Sequence, residues 1–244
     1  MIADPQRWNL LEQLGRSDRT VGELVDLIDK PQNLVSYHLG ELRTAGLVSC
    51  RRSAADRRDT YYRANLLACC DSLATVGSAL HGGVKLHRNR PEPPDRVTKS
   101  SRPRVLFLCT GNSSRSQMAE AMIRSSTNGA IDARSAGSHP RPVHQNAVRV
   151  MAERGIDISS HESKHLRRFA RVRFDRVITL CDKVREICPE FPGVGSTAHW
   201  SMADPASEGS TDDERYAAFV RVADELEWRI EFVTSELLAE QGGK

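Results

Sequence analysis

The run LFLCTGNSSRSQMAE, which begins at Leu106, carries the clearest chemical signal in the 244-residue chain. The apolar residues 105–108 lead into Cys109, and Arg115 and Ser116 follow after a stretch of small polar residues. A short loop between a strand and a helix points successive backbone N–H groups inward and forms a cradle for an anion. The helix dipole and these donors favour the thiolate form of a cysteine at this place. The spacing C-x5-R-S therefore predicts a nucleophilic thiolate inside an oxyanion site.

Each residue of this loop has a predicted part in holding a tetrahedral oxyanion. Gly111 and Asn112 are residue types that tolerate unusual dihedral angles, which lets the backbone curl. The Arg115 guanidinium forks onto two oxygens, and Ser116 donates a hydrogen bond that steadies the Cys109 thiolate. A buried cysteine before an ordinary turn is the alternative. The predicted oxyanion-binding residues are Thr110, Gly111, Asn112, Ser113, Ser114 and Arg115.

Two further cysteines, Cys181 and Cys188, lie in the segment TLCDKVREICP. At this separation on a regular helix they are too far apart to form a disulfide, so pairing requires the segment to unwind or loop out. A zinc site is a rival interpretation, but it needs further ligands at finger-like spacing, and the sequence shows none. A pair of inert thiols is the third alternative.

Strand-like and helical patterns alternate over residues 104–244. Such alternation predicts an α/β domain whose parallel sheet is covered on both faces by helices. The strands are expected at RVLFLC, IDARSAG and RFDRVITLC, and the last long helix at TDDERYAAFVRVADELEWRIEFVTSELL. Sites in such sheets lie at the carboxyl ends of strands, where Cys109 and Cys181 both fall.

This half resembles the low-molecular-weight tyrosine phosphatases and the arsenate reductases of the same three-layer fold, from residue 103 to about residue 238. The phosphatases place aromatic residues after a late Asp-Pro pair. Here Asp204 and Pro205 occur in HWSMADPASEG, with no aromatic residue after them. TLCDKVREICP matches the two additional cysteines of the thioredoxin-linked reductases. The resemblance therefore implies an arsenate reductase, with a protein tyrosine phosphatase as the alternative.

The resemblance also implies a relay of three thiols. Cys109 attacks arsenate while Asp204 protonates the leaving oxygen. Cys181 then attacks Cys109, which releases arsenite and leaves a Cys109–Cys181 disulfide. Cys188 attacks Cys181 in turn, so that thioredoxin can reduce the resulting Cys181–Cys188 disulfide.

One position departs from the pattern of the reductases. Many of them hold a potassium ion near the loop with an asparagine, a glutamate, a serine and an aspartate. Asn112, Glu120 and Ser135 match the first three ligands, but Lys164 stands in the fourth position. We therefore expect no potassium requirement, because an ammonium group cannot bind a cation. No other cofactor is expected.

Residues 1–83 have a mainly helical pattern with one predicted hairpin. Asp4 and Thr20 are expected to cap two helices, the second with Glu23 in a capping box. Pro31 opens a third helix that Gly46 ends. This helix is expected to turn three leucines inward, namely Leu34, Leu39 and Leu42. Two strand-like runs, LVSCRRS and DTYYRAN, and a largely apolar helix, LLACCDSLATVGSALHG, follow.

The order of these elements resembles the winged helix-turn-helix of ArsR-type repressors over about residues 4–82. Its most specific part is NLVSYHLGELRTAGLV, which looks like the recognition helix of that family. Polar side chains at its start are expected to reach base edges, and wing arginines to contact phosphates. The resemblance implies a double-stranded DNA operator and arsenite-responsive repression. The apolar last helix favours a homodimer. The predicted DNA-binding residues are Gln32, Asn33, Ser36, Tyr37, His38, Arg51, Arg52, Arg57, Arg58 and Arg63.

The thiols of this half, Cys50, Cys69 and Cys70, are candidates for an arsenite site, within one chain or across a dimer interface. The alternative is that they are small core residues. The proline-rich, charged residues 84–103 are interpreted as a linker, with a surface loop as the alternative. A third interpretation of the whole chain is a transcription regulator whose second half only binds an oxyanion.

Composition excludes some classes of protein. No apolar run approaches the length that crosses a bilayer, and the N-terminus has no secretory signal pattern, so a cytoplasmic location is expected. Six cysteines in a chain of this length do not indicate a disulfide scaffold. The net charge of +3 gives little information about partners.

Overall fold

The computed structural model describes residues 4–86, 102–188, 191 and 193–242. The chain divides into two compact units, residues 1–89 and 90–244. The central part of the predicted linker, residues 87–101, lies outside the described residues.

The N-terminal unit begins with three helices whose ends follow local capping chemistry. Helix α1 is Pro5–Arg16, α2 is Val21–Ile28 and α3 is Gln32–Thr44. The predicted caps are confirmed: Asp4 accepts from two α1 amides, and Thr20 and Glu23 form a capping box at α2. Gly46 ends α3 with φ of 71°, a left-handed conformation that favours glycine.

A two-stranded antiparallel wing follows, with β1 at Val48–Arg52 and β2 at Thr60–Ala64. Helix α4 is Leu66–Leu80. The core of the unit is formed mainly by leucines of α1, α2 and α3. One inward position of α3 differs from the prediction. Leu34 is only half-buried, whereas Val35 is fully buried, because the core-facing stripe of α3 passes through residues 35, 39 and 42.

The C-terminal unit is a parallel α/β domain. Its four-stranded sheet has the order β4-β3-β5-β6, and every neighbouring pair is parallel. The predicted parallel sheet is therefore confirmed. The strands are β3 (Arg104–Cys109), β4 (Asp132–Gly137), β5 (Arg176–Thr179) and β6 (Ser196–His199). The helices are α5 (Arg115–Ser126), α6 (Gln145–Ala152), α7 (Asp182–Ile187) and α8 (Asp212–Gly242), with 3₁₀ turns at Leu166–Phe169 and Pro205–Ser207.

Strand β3 runs through the middle of the sheet, and residues 105–109 are all buried. Helix α5 packs on β3, β4 and α8, and α7 contacts β3 and β5. Two elements are absent from the prediction, the short helix α7 and strand β6, whose sequence STAH carries little apolar signal. None of the helices in the described ranges is long and apolar enough to cross a membrane.

Candidate active site

The loop of residues 109–116, called the anion loop below, connects β3 to α5. Three of its carbonyl groups point outward and accept hydrogen bonds from the segment that follows β4. The peptide N–H groups between these carbonyls consequently face the interior of the loop, as a cradle for an anion requires. The three bonds run from the amides of His139, Arg141 and His144 to the carbonyls of Thr110 (2.9 Å), Gly111 (2.9 Å) and Ser113 (2.8 Å).

The Cys109 thiol lies at the base of the anion loop and is only 2 % exposed. Its sulfur is 2.9 Å from the Ser116 hydroxyl oxygen, which supports the predicted steadying role of Ser116. The Asn112 amide donates a second hydrogen bond to the sulfur at 3.1 Å. These two contacts hold the Cys109 sulfur in one position below the start of α5.

Asn112 is the residue that fixes the curl of the loop. It is fully buried and has φ of 45°, a left-handed conformation that asparagine tolerates better than most residues. Its side-chain amide donates to the hydroxyls of Ser116 and Ser135, both at 2.9 Å. Its side-chain oxygen accepts from the backbone amide of Lys164 at 2.7 Å. Asn112 therefore ties the loop to α5, β4 and the segment before β5.

Gly137, the last residue of β4, touches the underside of the anion loop. A Cβ atom at this position would come within 2.6 Å of the Thr110 carbonyl oxygen and 2.7 Å of the Asn112 nitrogen. Both contacts are with backbone atoms, which cannot move aside without reshaping the loop. Only glycine fits here, and the sequence prediction did not include it. The signal that would have found it is a glycine at the carboxyl end of a strand beside the loop.

Arg115 is the first residue of α5 and is only 5 % exposed. Its guanidinium donates to the Met202 carbonyl at 2.9 Å and forms an ion pair with Asp204 at 3.3 Å. Its Nε is buried and has no hydrogen-bond partner among the described residues. An unpaired buried donor next to inward-facing amides suits an oxyanion ligand. The same ion pair brings the predicted acid, Asp204, to the site.

Cys181 lies beside the anion loop although it is 72 positions after Cys109 in the chain. Its sulfur is 3.2 Å from the Thr110 hydroxyl, across the parallel pairing of β3 and β5. Burial raises the pKa of Cys181, and Arg115 and the Thr110 hydrogen bond oppose that shift. The sequence prediction gave Thr110 only an oxyanion-binding part. The structure adds a contact with the second thiol.

Cys181 and Cys188 cap the two ends of the six-residue helix α7. Seven positions on a helix correspond to a rise of about 10 Å, whereas the Cα atoms of a disulfide are usually less than about 7 Å apart. The two thiols therefore cannot pair while α7 is intact. Cys188 is half-buried, and burial raises its pKa to about 11.

Lys164 occupies the position beside the loop at which the sequence departs from the reductase pattern. Its ammonium is 2.9 Å from a Glu120 carboxylate oxygen that also accepts from the Ser135 hydroxyl. The Glu120 side chain is only 4 % exposed. The ammonium thus supplies a fixed positive charge to the carboxylate, and this set of groups does not fit a bound potassium ion.

Helix α3 exposes most of the side chains that the sequence predicts to contact DNA. Gln32, Asn33, Ser36 and Tyr37 are exposed. His38 differs from the prediction: its side chain is buried against α1, where its ring nitrogen accepts from Arg7 at 3.4 Å, so it is not presented to a base edge. Arg43, which the prediction did not include, is exposed two turns after Ser36 on the same helical face.

The wing presents basic side chains around the β1–β2 turn. Arg52, Arg57 and Arg58 are exposed, and Arg51 and Arg63 are half-buried. Arg58 is paired with Asp56 at 2.6 Å. The predicted phosphate-contacting residues thus share one hairpin.

The cysteines of the N-terminal unit do not form a site within one chain. Cys50 is on β1, and Cys69 and Cys70 are on α4. Among the described residues there is no group of three or more Cys, His, Asp or Glu placed to hold a metal ion. Burial, with a smaller contribution from Cys70, raises the pKa of Cys69 to about 11. An arsenite site that joins two chains stays a prediction.

Comparison with known protein families gives one match for each of the two units. Residues 104–242 match the family described as low molecular weight phosphotyrosine protein phosphatase, which is more than half of the chain. The chain belongs to this family. Residues 4–49 match the bacterial regulatory proteins of the arsR family, so the N-terminal unit carries an ArsR-type helix-turn-helix.

Several curated proteins that are similar to residues of the C-terminal unit are named arsenate reductases. One from Halalkalibacterium halodurans is 42 % identical over 126 residues, which are 52 % of this chain and 91 % of that protein. One from Bacillus subtilis is 39 % identical over 122 residues, which are 50 % of this chain and 88 % of that protein. A solved structure titled an arsenate reductase in the phosphate binding state is 31 % identical, with a TM-score of 0.49, and the match covers 55 % of this chain and 98 % of that one.

Proposed function

We propose that this chain is an arsenate reductase fused to an ArsR-type DNA-binding domain. The observation that carries the proposal is the position of Cys181, whose sulfur lies 3.2 Å from Thr110 in the anion loop. A phosphatase needs one thiolate in such a loop, whereas a reductase needs a second thiol within reach and a third to take over the disulfide. The similarity to curated arsenate reductases supports the same assignment.

The proposed reaction begins in the anion loop. The loop amides and Arg115 bind arsenate, and the Cys109 thiolate displaces an oxygen that Asp204 protonates. Cys181 attacks the Cys109 sulfur, so that the S–As bond breaks, arsenic is reduced to arsenite, and two thiols are oxidised to a disulfide. Cys188 then attacks Cys181 and frees Cys109, and a dithiol protein of the thioredoxin class reduces the Cys181–Cys188 disulfide.

The wall of the pocket favours a small inorganic anion over an aryl phosphate. Pro205 is buried, and the next two residues, Ala206 and Ser207, are exposed and have no ring. The nearby Trp200 is packed against Phe107 in the core. A phosphotyrosine ring would therefore find no stacking surface after Asp204, whereas arsenate does not need one.

A coupled assay tests the proposal against its main rival. The protein is incubated with arsenate, thioredoxin, thioredoxin reductase and NADPH, and arsenate-dependent loss of NADPH is followed. We expect many turnovers per molecule. Brisk hydrolysis of an aryl phosphate that is insensitive to loss of Cys181 and Cys188, with no reduction of arsenate, would instead support a tyrosine phosphatase. Operator binding that responds to oxyanions without any turnover would support a regulator that only binds the anion.

The N-terminal unit gives the reductase a regulatory context. We propose that it binds a double-stranded DNA operator through α3 and the wing, and that arsenite, the product of the other unit, releases it. Val76 and Leu80 of α4 are 62 % and 81 % exposed, which suits burial against a second copy in a homodimer. Because the proposed partner is a double-stranded DNA operator, the proposed location is the cytoplasm.

Replacing Arg57 with glutamine is expected to weaken binding to a DNA duplex in a salt-dependent manner. A plot of the logarithm of the binding constant against the logarithm of the salt concentration has a negative slope, and loss of one phosphate contact makes it shallower by about 1. The matched control is Arg58→Gln, because the Arg58 charge is already compensated by Asp56 and should change the slope less. Fluorescence anisotropy across a salt series measures both slopes. Unchanged slopes in both variants would mean that the wing does not contact phosphates.

Arsenate reduction is expected to proceed at the same rate in potassium and in sodium salts, because Lys164 supplies the positive charge beside Glu120. In Lys164→Asp the ligand set of the related reductases is complete, and we expect potassium to stimulate that variant. Lys164→Met removes the charge without adding a ligand. We expect this variant to lose about 3 kcal/mol of stability in either salt, because Glu120 is left buried without its lysine partner. The loss is at the lower end of the usual range since Arg124 and Ser135 still contact Glu120.

The measurements are initial rates and thermal unfolding in matched potassium and sodium buffers. A clear rate increase of the unaltered protein in potassium over sodium would refute the proposed role of Lys164.

A further inference from the structure

A buried polar cluster lies directly after Cys181, and the proposed reaction does not use it. It joins the carboxyl ends of β5 and β6 to the first residue of α7. The Asp182 carboxylate accepts from His199 Nε2 at 3.0 Å and from the Ser201 hydroxyl at 2.8 Å. The other ring nitrogen of His199 is 2.8 Å from the Thr179 hydroxyl. Asp182, His199, Ser201 and Thr179 are called the α7 anchor below.

All four residues of the α7 anchor are buried. Asp182 and Ser201 are each 1 % exposed, and His199 is 2 % exposed. A carboxylate so far from water is costly unless its oxygens are hydrogen-bonded and it has a charged or polar partner. The anchor meets that requirement, and it sits at the N-terminal end of a helix, where a carboxylate is favoured. Its bonds therefore hold the residue after Cys181 in one place.

The two ends of α7 are held very differently. Near the first end, Asp182 is in the anchor and Val184 is fully buried. Near the other end, Ile187 is 55 % exposed, and Cys188 is half-buried and touches only the edge of the core. A helix held by buried groups at one end and exposed at the other opens from the exposed end first.

We propose that the α7 anchor is a positioning device for the thiol relay, an inference that rests on the proposed function. The anchor keeps the Cys181 sulfur beside Thr110 and within reach of Cys109, while α7 unwinds from the Cys188 end. Cys181 thus stays in place for two successive events. It first attacks Cys109 and releases arsenite, and it is then attacked by Cys188, which has travelled to it as the helix opens. Asp182 and His199 are positioning residues, since neither is a reacting group in these steps.

The test isolates the first of these events. In a Cys188→Ala background the relay stops at the Cys109–Cys181 disulfide, so one arsenite is released per molecule without any reductant. Adding Asp182→Asn keeps the size of the side chain but removes its charge. We expect the single-turnover rate of arsenite release to fall by roughly tenfold, because a misplaced nucleophile costs rate even when binding is intact.

Two further measurements separate positioning from a general loss of structure. Protection of Cys109 against alkylation by phosphate, a tetrahedral anion that does not oxidise the thiols, reports on the anion loop and should be unchanged. The rate of arsenite release should then fall while the apparent affinity for the anion stays the same. Glu186→Gln, the same chemical change at an exposed position of α7, should leave the rate unaltered. If Asp182→Asn fails to fold, Ser201→Ala removes only one donor to the carboxylate and should slow release by roughly two- to threefold.

The outcomes distinguish this proposal from the proposed function. No arsenite from the otherwise unaltered protein would overturn the reductase assignment itself. Normal arsenite release in both Asp182→Asn and Ser201→Ala would overturn the positioning proposal alone. It would also be overturned if the rate of arsenite release and the protection of Cys109 fell to the same extent, because the α7 anchor would then stabilise the whole domain and not the position of Cys181. If Asp182 and His199 act as one unit, substituting both should lower the rate of arsenite release by no more than the larger of the two single substitutions does.

Discussion

A Cys188→Ala variant is expected to release one arsenite per molecule and then stop. In the proposed relay the first two thiols suffice for a single reduction, and the third is needed to move the disulfide outward. Cys109 and Cys181 are 2 % and 4 % exposed, so a disulfide between them is closed to an external dithiol. Because exchange depends on access to the attacked sulfur, steady-state turnover with thioredoxin should fall by roughly 100-fold or more.

Chemical quench followed by mass spectrometry measures the amount of arsenite and the disulfide present. We expect one equivalent of arsenite and a trapped Cys109–Cys181 bond in Cys188→Ala. The contrasting variant, Cys181→Ala, should release almost no arsenite yet retain arsenate protection of Cys109. Sustained turnover of Cys188→Ala at a rate near that of the unaltered protein would show that the first disulfide is reduced directly, and the three-thiol relay would be wrong.

A Gly137→Ala variant is expected to lose most arsenate reduction although residue 137 contacts no reacting atom. The added methyl group would sit 2.6 Å from the Thr110 carbonyl oxygen, so the anion loop must move away. Overpacking of this kind costs about 1–3 kcal/mol of stability. The displacement of loop amides by even a fraction of an ångström should reduce kcat/KM by roughly 100-fold.

Gly195→Ala is a matched control for this substitution. A Cβ there would also come within 2.6 Å of a carbonyl oxygen, that of Asp175, but at the opposite, amino-terminal edge of the sheet. We expect both variants to unfold at lower temperature and only Gly137→Ala to lose anion binding, measured by the protection that phosphate, which is not reduced, gives Cys109 against alkylation. Equal activity losses in the two variants would mean that crowding acts through stability and not through the loop.

Much of the fold follows from local patterns in the sequence. Local chemistry decides these helix ends: the side chains of Asp4 and Thr20 cap amides within three residues, and Gly46 adopts the left-handed conformation that ends α3. The apolar run of β3 and the alternation of strands and helices likewise indicate a parallel α/β domain. Strand β6 and helix α7 escaped prediction because they are short and their residues pack by tertiary contact, with little periodic signal.

The candidate active site likewise has features that local sequence predicts and features that only the fold determines. The residue types of the anion loop, from Cys109 to Ser116, are sufficient to predict an oxyanion cradle, because its amides, its arginine and its thiol lie next to one another in the chain. The three thiols were also predictable as a set. Their chemical order was implied by the family resemblance and not by the residues alone, and the structure supplies its physical basis, since Cys181 lies beside the loop and Cys188 lies at the other end of α7.

The sequence by itself determined the reactive groups, the strand-loop-helix that presents Cys109, and the two-part organisation of the chain. Only the tertiary structure decided that Cys181 meets Thr110, that Gly137 must lack a side chain, and that Lys164 neutralises Glu120. It also turned His38 inward and gave Asp182 its partner, His199. The physical reason is that these contacts join residues tens of positions apart, whose proximity is set by the pairing of parallel strands and by core packing.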